Sequence, residues 1–207
     1  MKHKQAYSAK YMTDEERLKI WDCLELRHRL IFEIMYYTGL RISEVLRIKL
    51  NHISPIDKTL IVPRQKNKTI MNELIYIPKP LIMPLFSYLA CYENTIKQNK
   101  NYVFYSKKRK GWHITLCGVS SLFWRARKQA GLDDCSVYKI SKDGRKYRRI
   151  SPHTHKNESI KAVYNKTGDL RAAQCQGHHT CMQSTQRYLG NPLTDTRLKK
   201  KNQHTWE

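Results

Sequence analysis

Apolar residues near the start of the chain recur with the spacing of amphipathic helices, and this periodicity limits the fold more than any other feature. Thr13 and Glu16 form a capping-box pattern, which predicts a helix over about 13–25. The same spacing predicts a second helix over about 27–37 and a third over about 43–49. The chain should therefore begin with three short helices in succession.

The periodicity then changes to that of β-strands. Residues 59–62 and 74–77 are apolar runs rich in β-branched and aromatic side chains, and they predict two short strands. The polar, lysine-bearing stretch 63–73 between them predicts a hairpin with a long turn.

Helical patterns return in the rest of the chain, with one further β signal. The basic segment 138–150 contains Asp143-Gly144, a pair typical of a hairpin turn. The remaining predicted helices lie at about 79–94, 116–130, 155–167, 170–176 and 184–188. The predicted fold class is mainly α with a small antiparallel β element.

A length of 207 residues suits one domain with small appendages. We expect 1–12 to be a basic N-terminal arm, 13–190 the folded domain and 191–207 a C-terminal tail. No apolar run is long enough to span a membrane, and the first residues lack the apolar stretch of a signal peptide. The six cysteines form no CxxC pair, which favours reduced thiols and a cytoplasmic protein.

The charge balance points to a polyanionic partner. The chain has 39 Lys and Arg against 17 Asp and Glu, a formal net charge of +22. Such a field attracts polyanions and raises their encounter rate. Charge alone does not separate DNA, RNA and anionic membranes.

The segment TGLRISEVLRIK, residues 38–49, carries the most chemical information. Arg41 follows a glycine break at the predicted start of a helix. Glu44 lies on the same helix face, where it can hold the guanidinium. An arginine oriented in this way suits two-point binding of a phosphate. Taken alone, the segment also describes an ordinary surface Arg–Glu pair.

Three more segments follow in order along the chain. VPRQKNK carries Lys66 and Lys68, SPHTHK contains His153 and Lys156, and GHHTCMQSTQRY ends at Tyr188. Together with the arginine segment, they resemble the sequence boxes of the tyrosine site-specific recombinases, the phage integrase family. The layout is similar to the short members of that family that consist of a catalytic domain only.

The resemblance implies a role for each matched residue. Tyr188 would be the nucleophile, and Lys66, with Lys68 as the alternative, would donate a proton to the leaving 5′-oxygen. The other matched residues would stabilise charge on the phosphate. The implied catalytic set is Arg41, Lys66, His153, Lys156, His179 and Tyr188.

Two positions depart from the family pattern. Lys156 stands where the family's His-x-x-Arg box has its arginine, and lysine lacks the planar two-point fork. The family also has Leu-Gly-His, with the histidine nine residues before the tyrosine. Counting back from Tyr188 gives His179, whereas counting from Gly177 gives His178 with one inserted residue. We prefer His179, because helical spacing near the tyrosine is less free to change than a loop.

By resemblance, the protein is a recombinase that cleaves and rejoins double-stranded DNA through a 3′-phosphotyrosyl intermediate, in integration, inversion or resolution. Four protomers would pair two DNA sites, and the protein would be nucleoid-associated. No cofactor is implied, because arginine and lysine supply the charge that a metal would otherwise provide. The alternative is a catalytically weakened relative that occupies recombination sites without cutting them.

Two further features need an interpretation. The basic segment 139–149 is either an additional contact to the DNA backbone or a solvated hairpin. A zinc site is the lesser alternative for the last segment, since the spacing fits no common zinc finger. Its ligands would be Cys175, His178, His179 and Cys181.

Overall fold

The computed structural model describes residues 11–66 and 69–189, and within these ranges the side chains of 64–71 and 138–139 are not described. The predicted tail, and all but the last two residues of the predicted arm, lie outside the described residues. Among the helices in these ranges, none is long and apolar enough to cross a membrane.

The predicted fold class is confirmed: helices dominate the described residues, with two small antiparallel sheets. The helices are α1 (Asp14–Asp22), α2 (Leu26–Thr38), α3 (Ile42–Leu46), α4 (Lys79–Gln98), α5 (Leu116–Gln129), α6 (Thr154–Thr167), α7 (Leu170–Gly177) and α8 (Met182–Leu189). The strands are β1 (Ile53–Ser54), β2 (Thr59–Lys66), β3 (Thr69–Tyr76), β4 (Val137–Ile140) and β5 (Lys146–Arg148).

Local chemistry sets the limits of the first three helices. The Thr13 hydroxyl accepts the Glu16 N–H at 3.2 Å, and the Glu16 carboxylate accepts the Thr13 N–H at 2.9 Å, which confirms the predicted capping box. Helix α2 is buried along most of its length and ends at Gly39, whose φ of 70° is a left-handed conformation that favours glycine. Helix α3 is shorter than predicted, because Lys49 forms a β-bridge with Tyr102 instead.

The first sheet has the antiparallel order β1-β2-β3. The long turn predicted over 63–73 is wrong, because β2 and β3 continue through this stretch as far as the pair Lys66–Thr69. Strand β1 pairs only with Thr59 and Leu60, so the hairpin extends beyond it as a two-stranded ribbon. Pro63 fits in this ribbon because β1 does not pair with this part of β2, so the N–H that proline lacks is not needed for a third strand.

His155 anchors helix α6 in the protein interior. Its Nε2 accepts the Trp21 indole N–H at 3.2 Å, and its ring packs against Phe32 and Phe123 with centroid distances of 4.9 and 5.6 Å. Burial lowers the pKa of His155 to about 3, so the ring is neutral, and its Nδ1–H donates to the Pro152 carbonyl at 3.2 Å. These contacts fix the N-terminal part of α6 against α1, α2 and α5.

Strands β4 and β5 form a second, two-stranded hairpin. The predicted turn is confirmed, with Gly144 at a φ of 78°. At the base, Arg148 pairs with the Asp133 carboxylate at 2.9 Å, and Arg149 donates to Glu16 at 2.8 Å. The hairpin is therefore tied to the body of the domain at its base and exposed at its tip.

Candidate active site

Arg41 lies between α2 and α3, and Glu44 holds it there. Its side chain is half exposed, and Nη1 donates to Glu44 Oε1 at 3.1 Å. The main-chain N–H of Arg41 donates to the other carboxylate oxygen at 2.6 Å. The carboxylate thus fixes the guanidinium, as the spacing predicted, and it also fixes the backbone. Because a guanidinium has five N–H donors, this one can also bind two oxygens of a phosphate.

Side chains from α6, from α7 and from the residue that follows α7 cap the C-terminal end of α2, just before Arg41. The last carbonyls of a helix have no partner within the helix, so they need donors from elsewhere. The three pairs are Tyr37 O with Gln176 Nε2 at 3.1 Å, Thr38 O with His178 Nε2 at 2.7 Å, and Gly39 O with Lys156 Nζ at 2.6 Å. Three separate sequence segments therefore meet at one point.

The packing at this point is close. A Cβ atom at Gly39 would lie 1.9 Å from the main-chain oxygen of Gln176, so only glycine fits there. The Gln176 amide also donates to the Ser159 hydroxyl of α6 at 2.7 Å. Helices α2, α6 and α7 are thus locked together immediately behind the predicted phosphate-binding arginine.

Lys156 lies in the interior of the protein. It is 2% exposed, and besides the Gly39 carbonyl its Nζ donates to the Gly177 carbonyl at 2.7 Å. Gly177 is the last residue of α7. The ammonium group therefore bridges the C-terminal ends of two helices.

His178, rather than Gly177, adopts the left-handed conformation that ends α7, with φ 52° and ψ 40°. Its N–H donates to the Cys175 carbonyl at 2.9 Å, and the next N–H, of His179, donates to Gln174 at 3.1 Å, which is a Schellman motif. If His178 takes the place of the glycine in Leu-Gly-His, then His179 takes the place of the histidine. No inserted residue is then needed.

The ring of His178 joins the first hairpin to α2. Its Nδ1 lies 2.7 Å from Glu73 Oε1 on β3, and its Nε2 lies 2.7 Å from the Thr38 carbonyl oxygen. A glycine at this position would have no side chain to make these contacts. The histidine therefore adds a link between the β2–β3 ribbon and the arginine segment.

His179 and Tyr188 are in direct contact. Their rings stack with a centroid distance of 4.8 Å and an interplanar angle of 25°. His179 Nδ1 lies 3.0 Å from the hydroxyl of Thr185, which is fully buried and fixes α8 against the end of α7. The structure thus brings together the histidine and the tyrosine preferred from the sequence.

His153 occupies the N-cap position of α6 and is exposed. The N-terminus of a 14-residue helix carries a partial positive charge, which favours a bound anion. His153 therefore lies at a surface suited to a phosphate, whereas Lys156 lies one turn further along and faces inward.

The predicted general acid is only partly described. Lys66 is the last residue of β2, paired with Thr69, but its side chain and the whole of Lys68 lie outside the described residues. Over the described parts of the chain, no three His, Cys, Asp or Glu side chains come together in a way that could hold a metal ion. Both ring nitrogens of His178, one of the residues considered for zinc, face oxygen atoms of the protein instead.

Comparison with known proteins identifies the class. The Phage integrase family matches residues 6–192, and the chain belongs to this family. Among its relatives is tyrosine recombinase XerC of Leptospira interrogans, 26% identical over 165 residues, a match that covers 80% of this chain and 47% of that protein. The chain spans about half the length of this relative.

Solved structures share the fold. The XerA recombinase matches with a TM-score of 0.71 and 20% identity, covering 95% of this chain and 65% of that one. The XerH recombinase in a post-cleavage complex with its difH substrate matches with a TM-score of 0.66 and 18% identity, covering 96% and 53%. A lambda integrase tetramer bound to a Holliday junction matches with a TM-score of 0.57 and 20% identity, covering 86% and 47%.

Sequence reasoning missed the capping contacts of Gln176 and His178. The available signal was the shifted Gly-His-His, in which a histidine could stand for the motif's glycine. Recognising it required knowing that the left-handed residue is His178, and this depends on where α7 ends.

Proposed function

We propose that this chain is the catalytic domain of a tyrosine recombinase, which cleaves and rejoins duplex DNA through a 3′-phosphotyrosyl intermediate. The observation that carries the proposal is the stacking of His179 on Tyr188, next to the junction of α2, α6 and α7 that holds Arg41. Membership of the phage integrase family supports it, as do relatives named tyrosine recombinases.

In the proposed reaction, the hydroxyl oxygen of Tyr188 attacks the phosphorus in line with the 5′-oxygen. A bond from the tyrosine oxygen to phosphorus forms as the bond to the 5′-oxygen breaks. The tyrosine hydroxyl releases its proton to solvent, and the 5′-oxygen receives a proton from the general acid. Rejoining is the reverse step, in which the 5′-hydroxyl of a partner strand releases the tyrosine. One P–O bond replaces another in each step, so no ATP is required.

The extra charge on the phosphate oxygens needs positive groups that are already in place. Arg41 is the proposed two-point ligand, since Glu44 orients its half-exposed guanidinium. His153 and the N-terminus of α6 are proposed to bind the same phosphate, and His179 to donate a hydrogen bond to it. Lys156, one turn further into α6, lies behind this surface with its Nζ on the Gly39 and Gly177 carbonyls.

Lys66 is proposed as the general acid for the leaving 5′-oxygen. The support is its position at the end of β2, on a ribbon anchored to the site through Glu73 and His178. A lysine can act as an acid near neutral pH when neighbouring positive charge lowers its pKa or when DNA positions it at the oxygen.

The tip of the β4–β5 hairpin is proposed to contact the DNA backbone. Lys142, Arg145 and Lys146 are exposed at this tip, where Arg145 pairs with Asp143 at 3.0 Å and Lys146 with Asp134 at 3.8 Å. These pairs are exposed to solvent, whereas the arginines at the base are mostly buried in their pairs with Asp133 and Glu16. The tip residue nearest to His153 in sequence, Lys146, lies seven residues before it, and the farthest, Lys142, lies eleven, spans of at most about 24 and 37 Å when extended. The proposed contacts therefore lie within about one helical turn of the phosphate that is cut.

We also propose that four copies act together on paired DNA sites, at the nucleoid. The lambda integrase tetramer on a Holliday junction has the same fold and supports this assembly. Gel analysis of synapsed sites would detect junctions made by such an assembly, whereas monomeric cutting without junctions would contradict it.

The proposal is tested by trapping the covalent intermediate. The protein is incubated with a randomised pool of nicked duplexes and is then denatured, so that only covalently attached DNA stays on it. This DNA is recovered, and the modified peptide is mapped by mass spectrometry. We expect the DNA on Tyr188, and no retention by Tyr188→Phe. Exposed Tyr76 provides a control, and Tyr76→Phe should retain DNA like the wild type. An adduct on another tyrosine, or none on any, would refute the proposal.

A further inference from the structure

We infer that Lys156 is a positioning residue, which joins the C-terminal ends of α2 and α7 and so orients Arg41 and His179, rather than a ligand of the cleaved phosphate. The inference rests on the proposed function only where cleavage is concerned. The observation behind it is the pair of contacts from Lys156 Nζ, at 2.6 Å to the Gly39 carbonyl and 2.7 Å to the Gly177 carbonyl.

The surroundings of Lys156 suit a cation that stays in place. The C-terminal end of a helix carries a partial negative charge on its unsatisfied carbonyls, and here two such ends face one ammonium group. The residue is 2% exposed. To reach a phosphate bound at the protein surface next to His153, the ammonium would have to leave both carbonyls and lose both charge-assisted hydrogen bonds.

The two carbonyls are close in sequence to residues of the proposed site. Gly39 lies two residues before Arg41, and Gly177 lies two residues before His179. A single ammonium therefore sets the distance between the backbone segments that carry the arginine and the histidine. Displacements of about 1 Å in such segments can reduce a rate by about a hundredfold.

The close packing explains why lysine, rather than the arginine of the family pattern, suits this position. A Cβ at Gly177 would lie 2.9 Å from the Ile160 side chain and 2.8 Å from His179, so the backbone that carries the Gly177 carbonyl is closely packed and has little room to shift. Lysine presents a compact point charge with three donors, whereas arginine presents a longer planar fork. An arginine would have to push the two helix ends apart or turn towards the surface.

The first experiment measures thermal stability without DNA. We expect Lys156→Met to lower the Tm by about 5–15 °C, because two buried carbonyls lose their charged donor. Lys166→Met, which removes the same charge from an exposed position in the last turn of α6, should leave the Tm within about 2 °C. A residue that served only the phosphate would behave like Lys166, so an unchanged Tm for Lys156→Met overturns the inference whether or not the protein cuts DNA.

The second experiment compares single-turnover cleavage with duplex affinity, below the Tm of every variant, on the nicked duplexes recovered with the wild-type protein. We expect Lys156→Arg to cleave about 10–100-fold more slowly than the wild type, with duplex affinity unchanged. A purely structural residue would not change the rate of a folded protein. A phosphate ligand would gain from the arginine fork, so cleavage by Lys156→Arg at or above the wild-type rate overturns the inference.

The third experiment separates positioning from phosphate binding when Lys156→Arg is slow. A methylphosphonate at the cleaved position replaces one charged oxygen with a methyl group and so reduces the need for a cationic ligand. On this substrate the loss of cleavage rate caused by Arg41→Ala, relative to the wild type, should become smaller. The loss of rate caused by Lys156→Gln should stay the same. If the loss caused by Lys156→Gln becomes smaller to the same extent, Lys156 binds the phosphate. If the wild-type protein cuts neither substrate, the proposed function fails, and the DNA-free Tm still tests the contacts of Lys156.

Discussion

Mild acid should destabilise this fold through two buried histidines, one of which lies between His153 and Lys156 on α6. Burial lowers the pKa of His155 to about 3 and that of His28 to about 4, against an ordinary value of 6.5. His155 has no room for a second proton, because its Nε2 accepts the Trp21 N–H and its Nδ1–H donates to a carbonyl.

The sign and size of the effect follow from these pKa values. Below pH 6.5 the unfolded chain binds a proton at each histidine while the folded chain does not, so stability falls as the pH falls towards the folded-state pKa. At about pH 5 each of these two histidines lowers the stability by about 2 kcal/mol relative to neutral pH, so together they contribute a loss of about 4 kcal/mol.

His155→Gln isolates one half of this loss. Glutamine offers an acceptor for Trp21 and a donor for the Pro152 carbonyl, but it does not titrate. Urea unfolding of both proteins between about pH 5 and about pH 7 should show that the variant loses about 2 kcal/mol less on acidification. Contributions shared by the two proteins, such as those of carboxyl groups, cancel in this difference. Equal acid sensitivity would refute the assignment of a neutral, buried His155, and His28→Gln should give a second, independent reduction.

Three further predictions concern the site and the DNA surface. Arg41→Ala should reduce single-turnover cleavage by at least about a hundredfold, while the Tm falls by no more than about 3 °C, because its pair with Glu44 is half exposed. His178→Ala should be less stable to urea than His178→Gly by about 1 kcal/mol, because both lose the ring contacts but only alanine keeps the left-handed strain. Replacing Lys142, Arg145 and Lys146 together with glutamine should lower the slope of log affinity against log salt by about 2–3 for duplex DNA.

Each of these predictions has an outcome that would contradict it. If a folded Arg41→Ala protein cuts DNA at the normal rate, Arg41 does not bind the phosphate. Equal stability of the two His178 variants would mean that the backbone at the end of α7 is not strained. For the hairpin, the control is Lys97→Gln, which removes an exposed lysine of α4 that is paired with Glu93 just as Arg145 and Lys146 are paired with Asp143 and Asp134. Because Lys97 lies outside the hairpin, this change should leave the salt slope almost unchanged. If the triple variant has the wild-type salt slope, the hairpin tip does not contact DNA and is only a solvated surface.

The residues that could be read from the sequence are those whose role depends on near neighbours. The capping box of Thr13 and the turn at Gly144 are interactions within four residues, and both are present. The pairing of Arg41 with Glu44 is of the same kind. The prediction failed over 63–73, because polar composition indicated a turn where cross-strand pairing with β3 extends the strand. Pairing partners in a sheet are not local, so composition could not reveal them.

By itself, the sequence determined the order of the helices and of the two hairpins, and the family, and it led to the prediction of Tyr188 with His179. Periodicity and motif spacing are properties of a continuous stretch of chain. Only the tertiary structure decided where Lys156 goes. The motif indicates a surface cation, but its ammonium bridges carbonyls 117 and 21 residues away in the chain. That choice depends on two helix ends that meet only after folding, where the carbonyls left unsatisfied by each helix need a donor and the buried charge needs partners.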